Sequence, residues 1–209
     1  ALPISHMGNP RVLAILVNYQ NLSFIIEQPA KAYDQYLNGD TQTNMGNYNQ
    51  LNYSSVAGYF DASSNGQFRP QFDVVGPVML PQEYGYYGGT SASANDEKIG
   101  ELGKDAIDLV KDQVDLSLYD NDGDGVAELV YIIHAGYGQN AGGDNATMWA
   151  KVSTQNLKVS DELTVRRIGC SSELFNPATG YETVINGIGV FCHEFSHAMG
   201  LPDLYPTNY

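Results

Sequence analysis

The chain has 209 residues, 43% of them hydrophobic and only 16% charged, with a formal net charge of −14. That length and apolar content suit a folded domain with one sizeable core and exclude a disordered chain. The acidic balance repels phosphate backbones and argues against nucleic acid as a partner, and no stretch approaches the roughly eighteen apolar residues of a transmembrane helix.

The chain opens at Ala1-Leu2-Pro3 without an initiator Met and reads as a mature or trimmed fragment of a longer product. His6 lies near this terminus and receives no role. Arg11–Val17 is a short apolar run with β-branched residues, bounded by Asn9-Pro10 and Asn18, and reads as a buried strand. Pro29 suits the first turn of a helix carrying Tyr33, Tyr36 and Leu37, which Asn38-Gly39 ends. Residues 38–53 read as a loop. Ser54 is the expected cap of a short helix from Ser55 to Ala62, closed by Ser63-Ser64-Asn65-Gly66.

Gln67–Gly76 reads as a strand or hairpin interrupted by Pro70. Pro77–Thr90 reads as a loop, with Tyr84, Tyr86 and Tyr87 packed beside Gly88-Gly89. From Asp96 to Val114, Ile99, Leu102, Ala106, Leu109 and Val110 recur at helical spacing, with Asn95 or Asp96 as cap. Val126–His134 is a strong strand, which Ala135-Gly136-Tyr137-Gly138 leaves sharply. His134 ends it and is expected to hydrogen-bond to a loop. Val152–Cys170 holds further strands, notably Leu163–Ile168, and Glu173–Gly187 is mostly loop. A helix then starts at Asn186 or Gly187. Strands and helices mix without strict alternation, so one α+β or three-layer domain around a mixed sheet is expected, spanning 1–209.

Two stretches carry chemistry. Asp120-Asn121-Asp122-Gly123-Asp124-Gly125-Val126-Ala127-Glu128 sets carboxylates at loop positions 1, 3, 5 and 9, with Gly at 6. This resembles the first part of an EF-hand calcium loop, with the Val126 carbonyl at position 7. Position 12 is Tyr131, so it is not an EF-hand. It is a shorter acidic loop expected to hold calcium through Asp120, Asp122, Asp124, Val126 and Glu128. Such a site would be structural, and weak calcium sites suit exported proteins.

The second stretch is Cys192–Leu204, which contains His193-Glu194-Phe195-Ser196-His197, then Gly200 and Asp203. On a helix His193 and His197 stand one turn apart on one face, where one metal ion can take both. Glu194 can reach a water held in an open coordination position. Gly200 can adopt the left-handed conformation that turns the chain, bringing Asp203 back as a third ligand. Cys170 and Cys192 are either two buried thiols or a disulfide; the argument for export favours the disulfide.

His193–Tyr205 resembles the active-site signature of the M6 metallopeptidases, the immune-inhibitor-A-like secreted proteases of bacteria. Arg11–Tyr19, Phe72–Pro77, Tyr119–Asp124 and His134–Gly138 resemble the same family in the same order, so the resemblance covers nearly the whole chain. It implies a zincin-like fold of the metzincin type, secretion, bound calcium and a catalytic zinc. It also implies His193, His197 and Asp203 as zinc ligands and Glu194 as general base. Metzincins carry a Met-turn downstream of the third ligand. Met199 lies inside the motif, and the chain stops at Tyr209, six residues past Asp203, so a domain cut before that turn is expected. The family often has His after its Trp, whereas Trp149 here precedes Ala150-Lys151-Val152.

The expected function is therefore secreted zinc endopeptidase, monomeric, acting on protein or peptide substrates. A non-catalytic, calcium-stabilised surface or binding module derived from such an enzyme is the alternative. A metal-dependent hydrolase of another bond would use the same zinc chemistry.

Overall fold

A computed structural model describes residues 4–39, 54–89, 98–175 and 184–204. The elements are β1 (Arg11–Asn18), α1 (Pro29–Asn38), α2 (Val56–Ser63), β2 (Gln71–Met79), α3 (Ile99–Val110), β3 (Val126–Tyr137), β4 (Lys151–Lys158), β5 (Thr164–Leu174) and α4 (Ile188–Ala198). The five strands form one sheet in the order β2-β1-β3-β5-β4. Neighbours β2, β1, β3 and β5 run parallel, and β4 is antiparallel at the edge beside β5. The fold is α+β with a mixed sheet, as expected.

Both faces of the sheet are covered, which is why β1 reads as one apolar run rather than an alternating one. Val12, Ala14 and Leu16 face a core cluster with residues of α1, α2 and α4, including Tyr36, Phe60, Phe191 and Phe195. Leu13, Ile15 and Val17 face a second cluster with α3, including Leu102, Ala106 and Val110. The layers are thus α1, α2 and α4, then the sheet, then α3. Phe191 and Phe195 of α4 pack on the rings of Tyr36, Phe60, Phe68, Phe72 and Tyr131, which seats the helix on the sheet.

Several local expectations change. Ser55, not Ser54, caps α2: its Oγ accepts the Gly58 amide at 3.0 Å. Of the strand or hairpin expected at Gln67–Gly76, the structure has a single strand, β2, which starts after Pro70 and runs through Pro77 to Met79. Edge position explains this, since an edge strand tolerates a residue with no donor. Gly76 (φ 102) serves a close approach, because a Cβ there would stand 2.5 Å from Leu16 O. Strand β3 does not leave the sheet at Ala135 but continues to Tyr137, still paired with Leu174. Helix α3 begins at Ile99, with Lys98 at its cap position; Asn95, Asp96 and most of the loop at 38–53 lie outside the described residues. Tyr84, Tyr86 and Tyr87 pack as expected, their hydroxyls donating to Tyr137 O, Glu101 and Asp105.

The expected disulfide is absent. Cys170 and Cys192 are both buried thiols. Cys170 belongs to the core cluster under α3 and Cys192 to the cluster on the opposite face, so the sheet stands between the two thiols. Cys170 Sγ donates to Trp149 O at 3.4 Å. Burial pushes the Cys192 thiol up to about 12, which makes it inert as a nucleophile.

Candidate metal centre

Helix α4 starts at Gly187, whose carbonyl accepts the Tyr36 hydroxyl at 3.0 Å. It ends in a Schellman turn. The Gly200 amide donates to His197 O (2.9 Å) and the Leu201 amide to Ser196 O (3.0 Å). Gly200 has φ 95, the left-handed conformation that glycine adopts without a steric penalty. This turn folds the chain back over the exposed face of the helix and returns Asp203 to the two histidines.

Three donor atoms converge there. His193 Nε2 lies 3.2 Å from His197 Nε2, and Asp203 Oδ1 lies 3.5 Å and 3.3 Å from them. Zinc–ligand bonds of 2.0–2.1 Å at tetrahedral angles separate neighbouring donors by roughly 3.3 Å. The triangle therefore has the size of one face of a zinc tetrahedron. Asp203 Oδ1 is buried and, among the described residues, accepts no hydrogen bond. An anionic oxygen held between two imidazole nitrogens without a donor is costly unless a cation sits among them. The His197 Nδ1–H donates to Leu201 O at 2.8 Å. In the neutral ring this leaves the Nε2 lone pair pointing at the centre, the tautomer a metal ligand requires.

Glu194 lies on the same helix, turned toward edge strand β4. Its side chain is only 7% exposed. Burial pushes its carboxyl up to about 7, with the nearby Asp203 adding to the rise and His197, the Val152 amide and Lys151 opposing it. The Val152 amide of β4 lies near the carboxylate and favours its charged form. A groove of about 450 Å³ flanks the histidines on the other side, walled by Tyr59, Ile188 and Leu201.

The acidic loop is a second convergence. Oxygens of Asp120, Asp122 and Asp124 lie within 4.8 Å of one another. Asp120 also closes the loop by accepting the amides of Gly123 (2.8 Å), Asp124 (3.1 Å) and Gly125 (2.8 Å). Val126 begins β3, and its amide donates to Asp124 Oδ1 at 3.0 Å. Glu128 is not brought into this group. It is buried, and its Oε2 accepts the Asn121 side-chain amide at 3.0 Å. Its position in β3 sets it against Asn121, within the loop, rather than among the three aspartates.

His134 is fully buried and far from a metal role. Its Nδ1–H donates to Ala135 O at 3.0 Å, and Nε2 has no partner among the described residues. Burial lowers its pKa to about 4. His6 is exposed. Sequence reasoning missed the Leu201 carbonyl and the Val152 amide, both backbone groups. The first follows from the turn that Gly200 signals. The second has no sequence signal, because any residue but proline supplies the same amide.

Residues 6–209 match the family model described as immune inhibitor A peptidase M6, catalytic domain. The chain is similar to pre-pro-metalloprotease PrtV of Vibrio cholerae serotype O1 (strain M66-2), 26% identical over 241 residues that cover 100% of this chain and 26% of that protein. It is also similar to immune inhibitor A of Bacillus thuringiensis subsp. alesti, 28% identical over 235 residues covering 95% of this chain and 34% of that protein. The chain thus spans about a third or less of the length of these relatives.

Proposed function

The chain belongs to the immune inhibitor A peptidase M6 family, and from that premise we propose that it is the catalytic domain of an exported zinc endopeptidase acting on protein or peptide substrates. The observation that carries this reading is the buried Asp203 Oδ1, which accepts no hydrogen bond among the described residues and stands with His193 Nε2 and His197 Nε2 in a triangle of zinc dimensions. His193, His197 and Asp203 would hold the metal. When bound, zinc supplies Lewis-acid activation of water and of the scissile carbonyl.

The chain's own residues do the rest. Glu194 takes a proton from the attacking water and delivers it to the departing amine as the C–N bond breaks, so its carboxylate ends as it began. The Val152 amide of β4 lies beside that carboxylate and favours its charged form. Leu201 O holds His197 in its ligand tautomer. The mixed sheet with antiparallel β4 beside α4 suits a zincin-like fold of the metzincin type. Asp120, Asp122 and Asp124 would hold calcium in a structural role, since every donor is a hard oxygen.

The decisive test is Glu194→Gln in the full-length protein, assayed for zinc content and for cleavage of casein with and without chelator. Zinc should stay near one equivalent while turnover falls by roughly 100-fold or more. Full cleavage activity in that variant would sink the assignment of the base. A wild type that binds zinc yet cleaves nothing would favour a non-catalytic module.

A further inference from the structure

The last turn of α4 contains one hydrogen bond that its own helix does not supply. Phe195 O, Ser196 O and His197 O accept the amides of Met199, Leu201 and Gly200. Ala198 O is the carbonyl left over at a helix end. It accepts the amide of Ile4 at 3.3 Å, from the opposite end of the chain. The Ile4 side chain is 1% exposed and joins the same core cluster as Phe195, Ala198 and Met199.

The segment is also pinned behind Ile4. The Gly8 amide donates to Gln67 O (2.8 Å), the Arg69 amide to Gly8 O (2.9 Å), and Asn9 Nδ2 to Arg69 O (3.0 Å). The buried Ile4 and the hydrogen bonds behind it fix this segment against the end of α4. The turn it meets needs such support. Gly200, Leu201, Pro202 and Leu204 are all exposed, and a segment with few buried contacts opens easily. Yet that turn carries Leu201 O, which orients His197, and Asp203 itself.

We propose that Ile4 is a positioning residue for the metal site, the anchor of a strap (Ile4–Gly8) that clamps the turn setting His197 and Asp203. The proposal rests on the reading of His193, His197 and Asp203 as metal ligands. Ile4 touches neither metal nor substrate. It acts by keeping the last turn of α4 wound, so that the third ligand stays within reach of the other two.

Three variants of the full-length protein separate its contributions. Ile4→Pro removes the donor amide, Ile4→Ala removes the packing, and Ile4→Val keeps both. Zinc affinity is measured by competition with a chromophoric chelator, well below each variant's Tm. The cobalt-substituted protein reports ligand geometry through its visible absorption bands. Amide exchange of Gly200 and Leu201 is followed in the metal-free protein. Zinc affinity should fall about tenfold or more in Ile4→Pro and Ile4→Ala, as for residues that orient metal ligands, and return in Ile4→Val. Exchange at Gly200 and Leu201 should quicken in the first two variants. A lowered Tm with unchanged zinc affinity and an unchanged cobalt spectrum would mean a merely structural strap and overturn the proposal. If the wild type binds no zinc, the metal reading itself fails. The exchange result then decides about the clamp alone, and unchanged protection in Ile4→Pro refutes it.

Discussion

Replacing His134 by Gln should remove a specific acid sensitivity from this domain. The imidazole is fully buried at the end of β3, with Tyr19 edge-on at 5.9 Å, and its Nε2 has no partner among the described residues. Charging it means placing an imidazolium among the apolar residues under α3, and burial accordingly lowers its pKa from 6.5 to about 4. The folded protein thus binds this proton more weakly than the unfolded chain. The stability that neutral His134 contributes is complete above pH 6.5 and is lost as pH falls toward about 4. A drop of that size corresponds to about 3 kcal/mol. Urea unfolding of wild type and His134→Gln at intervals from pH 7 to pH 4 isolates the effect, because other titrating groups cancel in the difference. The stability of wild type relative to the variant should decline by about 3 kcal/mol across that window. A difference that stays flat with pH would show that the imidazole titrates alike in the folded and unfolded chain and refute its burial in neutral form.

Other perturbations read out the remaining groups. Asp203→Asn keeps the side-chain volume but removes the anion, so zinc content after dialysis should fall; a full equivalent retained would exclude a third ligand at this position. Glu173 is a buried carboxylate that accepts the amides of Ile25 (2.8 Å), Ile26 (3.2 Å) and Gly136 (3.1 Å). In Glu173→Gln an NH₂ must face at least one of those N–H groups, leaving it unsatisfied at a cost of about 1–3 kcal/mol by urea unfolding. Calcium at millimolar concentration should raise the Tm, and Asp122→Ala should abolish that increase; an equal increase in the variant would dissociate the ion from the acidic loop.

The convergence of His193, His197 and Asp203 was legible because its logic is local. His193, Glu194 and His197 are fixed relative to one another by helical periodicity, and Gly200 announces the turn that brings Asp203 back. The helical face of α3 was legible because burial on one side of a helix imposes a short period on the sequence, and β1 because burial on both faces of the sheet makes it one apolar run. The acidic loop was legible in its three converging aspartates but not in Glu128, whose direction depends on where the strand begins.

What only the tertiary structure decided are relations between segments distant in sequence. Cys170 and Cys192 stand twenty-two positions apart, a spacing open to a disulfide, yet the sheet passes between them. The Val152 amide at Glu194 and the Ile4 amide at Ala198 O are backbone groups that carry no side-chain signature. The order β2-β1-β3-β5-β4 sets β4 at the edge, where it meets α4. Sequence alone thus determined which side chains could bind a metal. Packing of the helix on the sheet decided which backbone groups hold them in place, because a hydrogen-bond donor common to nearly every residue acquires meaning only from what it faces.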